Sequence, residues 1–236
     1  MFVIDIILKP KSIKPKDYIE EINLKIIKKH LQQTSEDFLN IFPEEMQEKL
    51  RGNFYFAGGC IYSLYNGGEP NDYDIFITNE NTVNDIMCYF IKYIEKFKHN
   101  SIARGILDNG FPIVKTKFAI TINNKYQIIH RYIGEPTRVV EEFDFKHNMF
   151  YYIPDKKLLG RHPRVKQVYL STKEMYFNDF RCRDLCGVIL RLPKFISRGM
   201  SISKKEIAKI LTKLQTCINN DNEKEILLDY TSTQGY

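Results

Sequence analysis

The stretch FAGGCIYSLYNGGEPNDYDIFI, residues 56–77, constrains this chain more than any other. NFYFA, which overlaps its start, and DYDIFIT at its end read as strands, CIYSLYN as a short helix and GGEPN as a turn. Gly58 and Gly59 fall between the first strand and the helix, where backbone must turn sharply or let something approach closely. Asp72 and Asp74 stand at i and i+2 of the second strand and project from one face, while Tyr73, Ile75 and Ile77 take the other. Two carboxylates so placed repel unless a cation lies between them. The expected unit is βαβ, with the acids opposite a glycine corner whose helix-start amides favour an anion such as phosphate. A divalent-metal site for phosphoryl transfer needs that arrangement.

Around this unit the pattern is helical, then mixed, then helical again. YIEEINLKIIKKHL (18–31) reads as an amphipathic helix, and TSEDFLNIFPEEMQEKL as two shorter helical pieces with Pro43 near their boundary. A helix follows the second strand, with Asn79 or Asn81 as its cap. IVKTKFAITI and YQIIHRYI form a hairpin turned at Asn123-Asn124, and VVEEFDF and NMFYYIPDKKLL read as further β-rich pieces. From about Tyr176 the reading is helix again, NDFRCRDLCGVILRLPKFISR and then SKKEIAKILTKLQTCI, the latter capped by Ser203. The division expected is a helical segment over 1–52, a head over 53–160 and a helical neck over 161–236.

With 43% hydrophobic and 27% charged residues, the 236-residue chain can bury a real core, which excludes a disordered protein. No apolar run reaches membrane-spanning length. The start, MFVIDIILKPKS, lacks the basic flank and cleavage site of a signal peptide, so the expected location is cytoplasmic, or the host cytoplasm for a viral protein. Cys182 and Cys186 have no second close pair, and neither the five cysteines nor the five histidines show metal-ligand spacing. The net charge of +6 is uneven, because 161–213 holds thirteen Lys/Arg against four Asp/Glu. A polyanionic partner or a solvated basic face accounts for that excess.

GGCIYSLYNGGEPNDYDI resembles the head motif of class II nucleotidyltransferases, the tRNA CCA-adding enzymes and bacterial poly(A) polymerases of the DNA polymerase β superfamily. That motif reads roughly GGxVRDxLLGxxxxDxDI, and the glycine pair, Gly67, Asp72 and Asp74 fall at its spacing. FDFKHNMFYYIPDKKLL resembles RRDFTINALAYDPxxxxLI through Asp144, Phe145, Asn148, Tyr151, Pro154, Asp155 and Leu158. VILRLPKFISRGMSI resembles ILRAIRFAARLGFxI through Ile189, Leu190, Arg191, Phe195, Gly199 and Ile202. Against the family pattern, Tyr62-Ser63 replace Arg-Asp, Glu142-Phe143 replace two arginines, and Pro193 interrupts the neck. No arginine follows Arg198, so the family's base-reading Glu-Asp-x-x-Arg motif has no counterpart.

The resemblance implies an α+β fold: a polymerase β-like nucleotidyltransferase head with a mixed sheet, N-terminal helices and a short helical neck. It implies transfer of a nucleotide from a nucleoside triphosphate, ATP among them, to a hydroxyl acceptor, with an RNA (tRNA-like) 3′ end as partner and no membrane. Asp72 and Asp74 would hold two Mg²⁺ ions, and Asp144 would be the third carboxylate, a metal ligand that orients or deprotonates the acceptor hydroxyl. Gly58 and Gly59 would cradle phosphates, and Asn148 would meet the sugar. Arg191, Lys194 and Arg198, spaced as one helical face, would meet triphosphate, base or acceptor phosphates. Without the relatives, Asp144 also fits a turn, Asn148 a structural hydrogen bond, the cationic stripe a solvated surface, and Tyr151, Tyr152, Phe180 and Phe195 either core or base-stacking positions. Nucleotidylation of a protein or small molecule, or a silent RNA-binding module, are the other functions compatible with these residues.

Overall fold

The computed structural model describes residues 15–94 and 102–217; the MFVIDIILKPKS start, His99 and the acidic tail from Ile218 lie outside the described residues. The elements run α1 (Pro15–Leu39), α2 (Glu44–Leu50), β1 (Phe54–Ala57), α3 (Gly59–Tyr65), β2 (Tyr73–Ile77), α4 (Glu80–Ile91), β3 (Ala103–Ile106), β4 (Pro112–Lys115), β5 (Ala119–Ile122), β6 (Tyr126–Ile133), α5 (Pro136–Val140), β7 (Phe150–Ile153), β8 (Leu158–Arg161), α6 (Leu185–Ile196) and α7 (Lys204–Cys217). This is the expected α+β architecture: N-terminal helices, a central mixed sheet and a short helical C-terminal region.

The strands form one sheet in the order β3-β4-β5-β6-β2-β1-β7-β8. Among the described strands, only the β2–β6 pair is parallel. β1 and β2 are antiparallel neighbours, with Tyr55 opposite Phe76, so the β1–α3–β2 segment is not a parallel βαβ crossover. The hairpin at Asn123-Asn124 is present, both residues holding φ of 51°, where asparagine is among the better-tolerated side chains. IVKTKFAITI is not one strand: Thr116 accepts from the backbone of Phe118 and Ala119 and breaks it into β4 and β5.

The two faces of the central strands differ in character. On one, Phe54, Phe56, Tyr73 and Tyr126 meet α1, with Phe38 5.3 Å from Phe54 and 5.5 Å from Tyr126 between ring centres. The His30 ring is hydrogen-bonded to the Tyr73 hydroxyl at 2.7 Å. α1 runs unbroken through Leu39 because Ile27, Leu31 and Phe38 continue one buried stripe; each such side chain contributes roughly 1.5–3 kcal/mol by its burial. The other face carries Tyr55, Asp74, Phe76 and Gln127. It is covered in part by Phe143, whose ring lies 5.5 Å from that of Phe76.

The expected caps are in place: Asn79 accepts from Thr82 N–H at 2.9 Å, and Ser203 from Glu206 N–H at 3.4 Å. Two further expectations fail. VVEEFDF is not β-rich, since Pro136 opens α5 at its first turn and Phe145 makes only an isolated bridge to Phe177. Residues 178–184 are not helical: the Asn178 side chain donates to the carbonyls of Glu141 and Phe143, both at 2.7 Å, and Asp184 is left-handed at φ 55°. α6 therefore starts at Leu185, with Pro193 inside it. Cys182 sits exposed before it rather than packed in a helix, and Cys186 is buried. Phe145, Met175, Phe177, Leu185, Val188, Met200 and Ile210 form a second apolar cluster that joins α6 and α7 to the loops beside the sheet.

Candidate active site

β2 supplies the central acid. Asp74 projects from the face opposite α1 and pairs in register with Gln127 of β6, and Asp72 lies one residue before the strand, where it accepts from Gln127 Nε2 at 3.1 Å. Burial, and then the neighbouring Asp72 charge, push the Asp74 carboxyl up to about 7, while Lys194 and Arg198 pull it the other way. The buried Asp74 carboxyl thus has Asp72 as a negative neighbour and Lys194 and Arg198 as positive ones.

The glycine corner faces these acids. Gly58 holds φ 87°, a value that favours glycine. A Cβ there would lie 3.7 Å from Asp74 Oδ2 and 3.4 Å from the Phe143 ring. Gly58 N–H donates to the Phe150 carbonyl, which ties the corner to β7. Gly59 opens α3, and a Cβ on it would meet nothing within 4 Å.

Two cavities meet at this point. One, of about 250 Å³, is lined by Gly58, Gly59, Asp74, Asp144, Asn148 and Arg191 among others; a second, of about 230 Å³, by Gly59, Asp72, Asn148 and Arg198 among others. Gly59 and Asn148 belong to both. Lys194 lines neither and is exposed on α6, and Arg198 stands beyond the end of α6, not within it. Tyr151 and Tyr152 are buried in the sheet. Phe180 packs on His162 and Arg164, and Phe195 lines the second cavity.

Asp144 is held by arginines. Arg191 Nε lies 2.6 Å from Asp144 Oδ2, and its Nη2 lies 3.0 Å from both Asp144 Oδ1 and Asp184 Oδ2. Arg181, only 3% exposed, pairs with the same two carboxylates at 3.3 and 2.9 Å. Two arginines thus balance two acids in a nearly buried cluster linking α6 to the loop after α5. Gly187 is required there, because a Cβ on it would stand 2.0 Å from Asp184 Oδ1.

Among the described residues, no three His, Cys, Asp or Glu side chains are grouped to hold a metal ion. Asp72 and Asp74 are a two-carboxylate set with unbalanced charge, which suits Mg²⁺ held jointly by one or two carboxylates and substrate phosphates. Sequence reasoning missed Arg181, Asp184, Gln127 and His147. Gln127 is identified only by strand register, and the others only by folding of the loops.

No curated protein matches the chain. Similar solved structures include the Thermotoga maritima CCA-adding enzyme complexed with tRNA, at 15% identity and TM-score 0.46, with 74% of this chain and 43% of that chain covered. The Bacillus stearothermophilus CCA-adding enzyme in complex with CTP has 16% identity and TM-score 0.48, with 74% and 42% covered. The chain thus spans less than half the length of either enzyme. No described helix is long and apolar enough to cross a membrane. A family model for Gabija anti-defense 2 family proteins matches residues 27–181, a span that carries Gly58, Gly59, Asp72, Asp74, Asp144 and the whole sheet. More than half of the sequence lies within that match, and the chain belongs to the Gabija anti-defense 2 family.

Proposed function

We propose that this protein is a Mg²⁺-dependent nucleotidyltransferase that moves a nucleotide from a nucleoside triphosphate to a hydroxyl acceptor and releases pyrophosphate. The observation that carries this reading is the pairing of Asp72 with Asp74 opposite Gly58, with Asp74 driven toward neutrality first by burial and then by the neighbouring Asp72 charge. The three motif resemblances support it.

Asp72 and Asp74 would hold the ions, two in the reading from resemblance, with Gln127 fixing the orientation of Asp72. When bound, Mg²⁺ would neutralise the acids and draw charge from the reacting phosphate. Gly58 and Gly59 leave room for the triphosphate beside these acids. Lys194 and Arg198 bring positive charge toward the same place. The acceptor oxygen attacks the α-phosphorus in line as its hydroxyl proton passes to water, a new P–O bond forms, and the bond to the bridging oxygen breaks as pyrophosphate leaves. Asp144 lines the Asp74 cavity, and a carboxylate has about four lone-pair positions. Clamped by Arg191, it still has acceptor capacity to orient a hydroxyl. Positioning and electrostatics carry the rate enhancement.

An RNA 3′ end is the acceptor we favour, from the motif resemblance and the basic stretch 161–213. Part of that charge is spent internally, since Arg181, Arg191 and Lys209 all pair with acids. The family's name supplies a second reading: members are named for acting against a defence termed Gabija, which favours a protein of that defence as acceptor. Incubation with each α-labelled triphosphate and Mg²⁺ separates the two. Labelled RNA in a tRNA-containing reaction supports the first, and a labelled partner protein without RNA the second. RNA retention with no labelling, unchanged by Asp72→Ala plus Asp74→Ala, would instead indicate a silent RNA-binding module.

A further inference from the structure

We propose that the cavity on the Asp72 side receives a planar nucleobase, which His147 and Asn148 hold by its edge against a wall formed by Phe195. The inference rests on the transferase reading and adds a base-binding site to it. The cavity holds about 230 Å³. That is below the roughly 300–1,000 Å³ of pockets that enclose a whole drug-sized ligand, so it suits one ring system whose sugar and phosphates lead out past Asp72.

Two neighbouring residues of its lining, His147 and Asn148, each carry an orphaned buried polar atom. His147 is 2% exposed, and its Nδ1 has no hydrogen-bond partner; Asn148 Oδ1, on the same short 3-10 turn, has none either. A buried polar group left unpaired is costly, so such atoms in a folded protein call for a partner. The imidazole cannot swing away to find one. Phe145 stacks on it at 5.9 Å and 10°, and Tyr62 and Phe195 close around it at 4.9 and 5.6 Å.

The chemistry of the wall favours a base over a phosphate. His147 is kept neutral by burial, so it presents one donor or one acceptor nitrogen beside the Asn148 amide. Nucleobase edges offer donors and acceptors side by side. An anion would face Asp72 and Glu69 in the same lining, with Arg198 the lining cation.

The test is calorimetric titration of the full chain with adenosine, cytidine, guanosine and uridine, each triphosphate with Mg²⁺, and tripolyphosphate. His147→Phe keeps an aromatic ring and removes both nitrogens; Ser63→Phe fills the cavity from α3, and a thermal melt checks that both fold. We expect both variants to weaken the preferred nucleoside and its triphosphate by about tenfold, as loss of a hydrogen-bonded ring contact does, with tripolyphosphate unchanged. Equal triphosphate affinity in both variants and wild type overturns the base site but leaves the transferase reading standing, whether or not transfer to the acceptor slows. Failure of the wild-type chain to bind any triphosphate overturns both.

Discussion

Arg191 grips Asp144 with one two-pronged edge of its guanidinium, Nε to Oδ2 at 2.6 Å and Nη2 to Oδ1 at 3.0 Å, and so fastens α6 to the loop that follows α5. The same Nη2 reaches Asp184 Oδ2 at 3.0 Å. Removing one partner of a mostly buried pair leaves the other's charge stranded. Arg191→Ala should therefore cost about 2–4 kcal/mol in urea unfolding, and Arg191→Lys should recover only part, because an ammonium cannot make the two-pronged contact. A loss below about 0.5 kcal/mol, the scale of exposed pairs, would show that the cluster contributes no stability.

Gly187 makes the same cluster sensitive to a single methyl group. With Asp184 Oδ1 2.0 Å and Arg191 Nη1 2.7 Å from its would-be Cβ, Gly187→Ala must displace both charged groups. It should destabilise by about 2 kcal/mol or more although alanine favours helices. Combined with Arg191→Ala, the two losses should fall short of additive, as expected for residues in contact.

Asp74 predicts a pH dependence of defined sign. Its carboxyl lies at about 7 in the fold against an ordinary 3.8, so the unfolded chain gives up this proton at lower pH than the folded one. Between those values the folded state binds more protons, and this group's contribution to stability falls as pH rises, with the full penalty present above about 7. Asp74→Asn should then be more stable than wild type at pH 8 by about 1–3 kcal/mol, with little difference near pH ~4. Mg²⁺ at pH 8 should raise the melting temperature of the wild type and leave the variant unmoved. A parallel pH profile for the two proteins would contradict a carboxyl raised by burial and by Asp72.

Gln127 occupies the register position beside Asp74 and donates to Asp72 at 3.1 Å. Gln127→Ala frees the Asp72 side chain while retaining both acids. Transfer should slow by about tenfold, as loss of a positioning hydrogen bond does, with triphosphate affinity nearly kept. Gln127→Glu adds a third negative charge to the group, so the folded protein should lose stability at pH 8 and regain it on adding Mg²⁺, measured by thermal melting.

What the sequence makes legible is local. The acid pair at the start of β2, the glycine corner, the Asn79 and Ser203 caps and the Asn123-Asn124 turn are each set by residues a few positions apart. The Arg191–Asp144 clamp joins residues 47 apart, so no short-range pattern reveals it. Helical periodicity misread 178–184, because the Asn178 amide turns back onto two carbonyls and Asp184 takes a left-handed conformation. The antiparallel pairing of β1 with β2 was hidden for another reason: a strand–helix–strand pattern fixes the elements, not their direction.

The most direct measurement is transfer of α-labelled nucleotide by the purified full chain, with all four triphosphates, Mg²⁺ and RNA or protein acceptors, beside the Asp72→Asn plus Asp74→Asn protein. The account predicts label on an acceptor with the wild type, dependent on Mg²⁺, and loss of at least about 10³-fold in the folded double variant, the scale seen when groups that stabilise transition-state charge are removed. Equal labelling by both proteins, or none by the wild type with any triphosphate and acceptor, would contradict it.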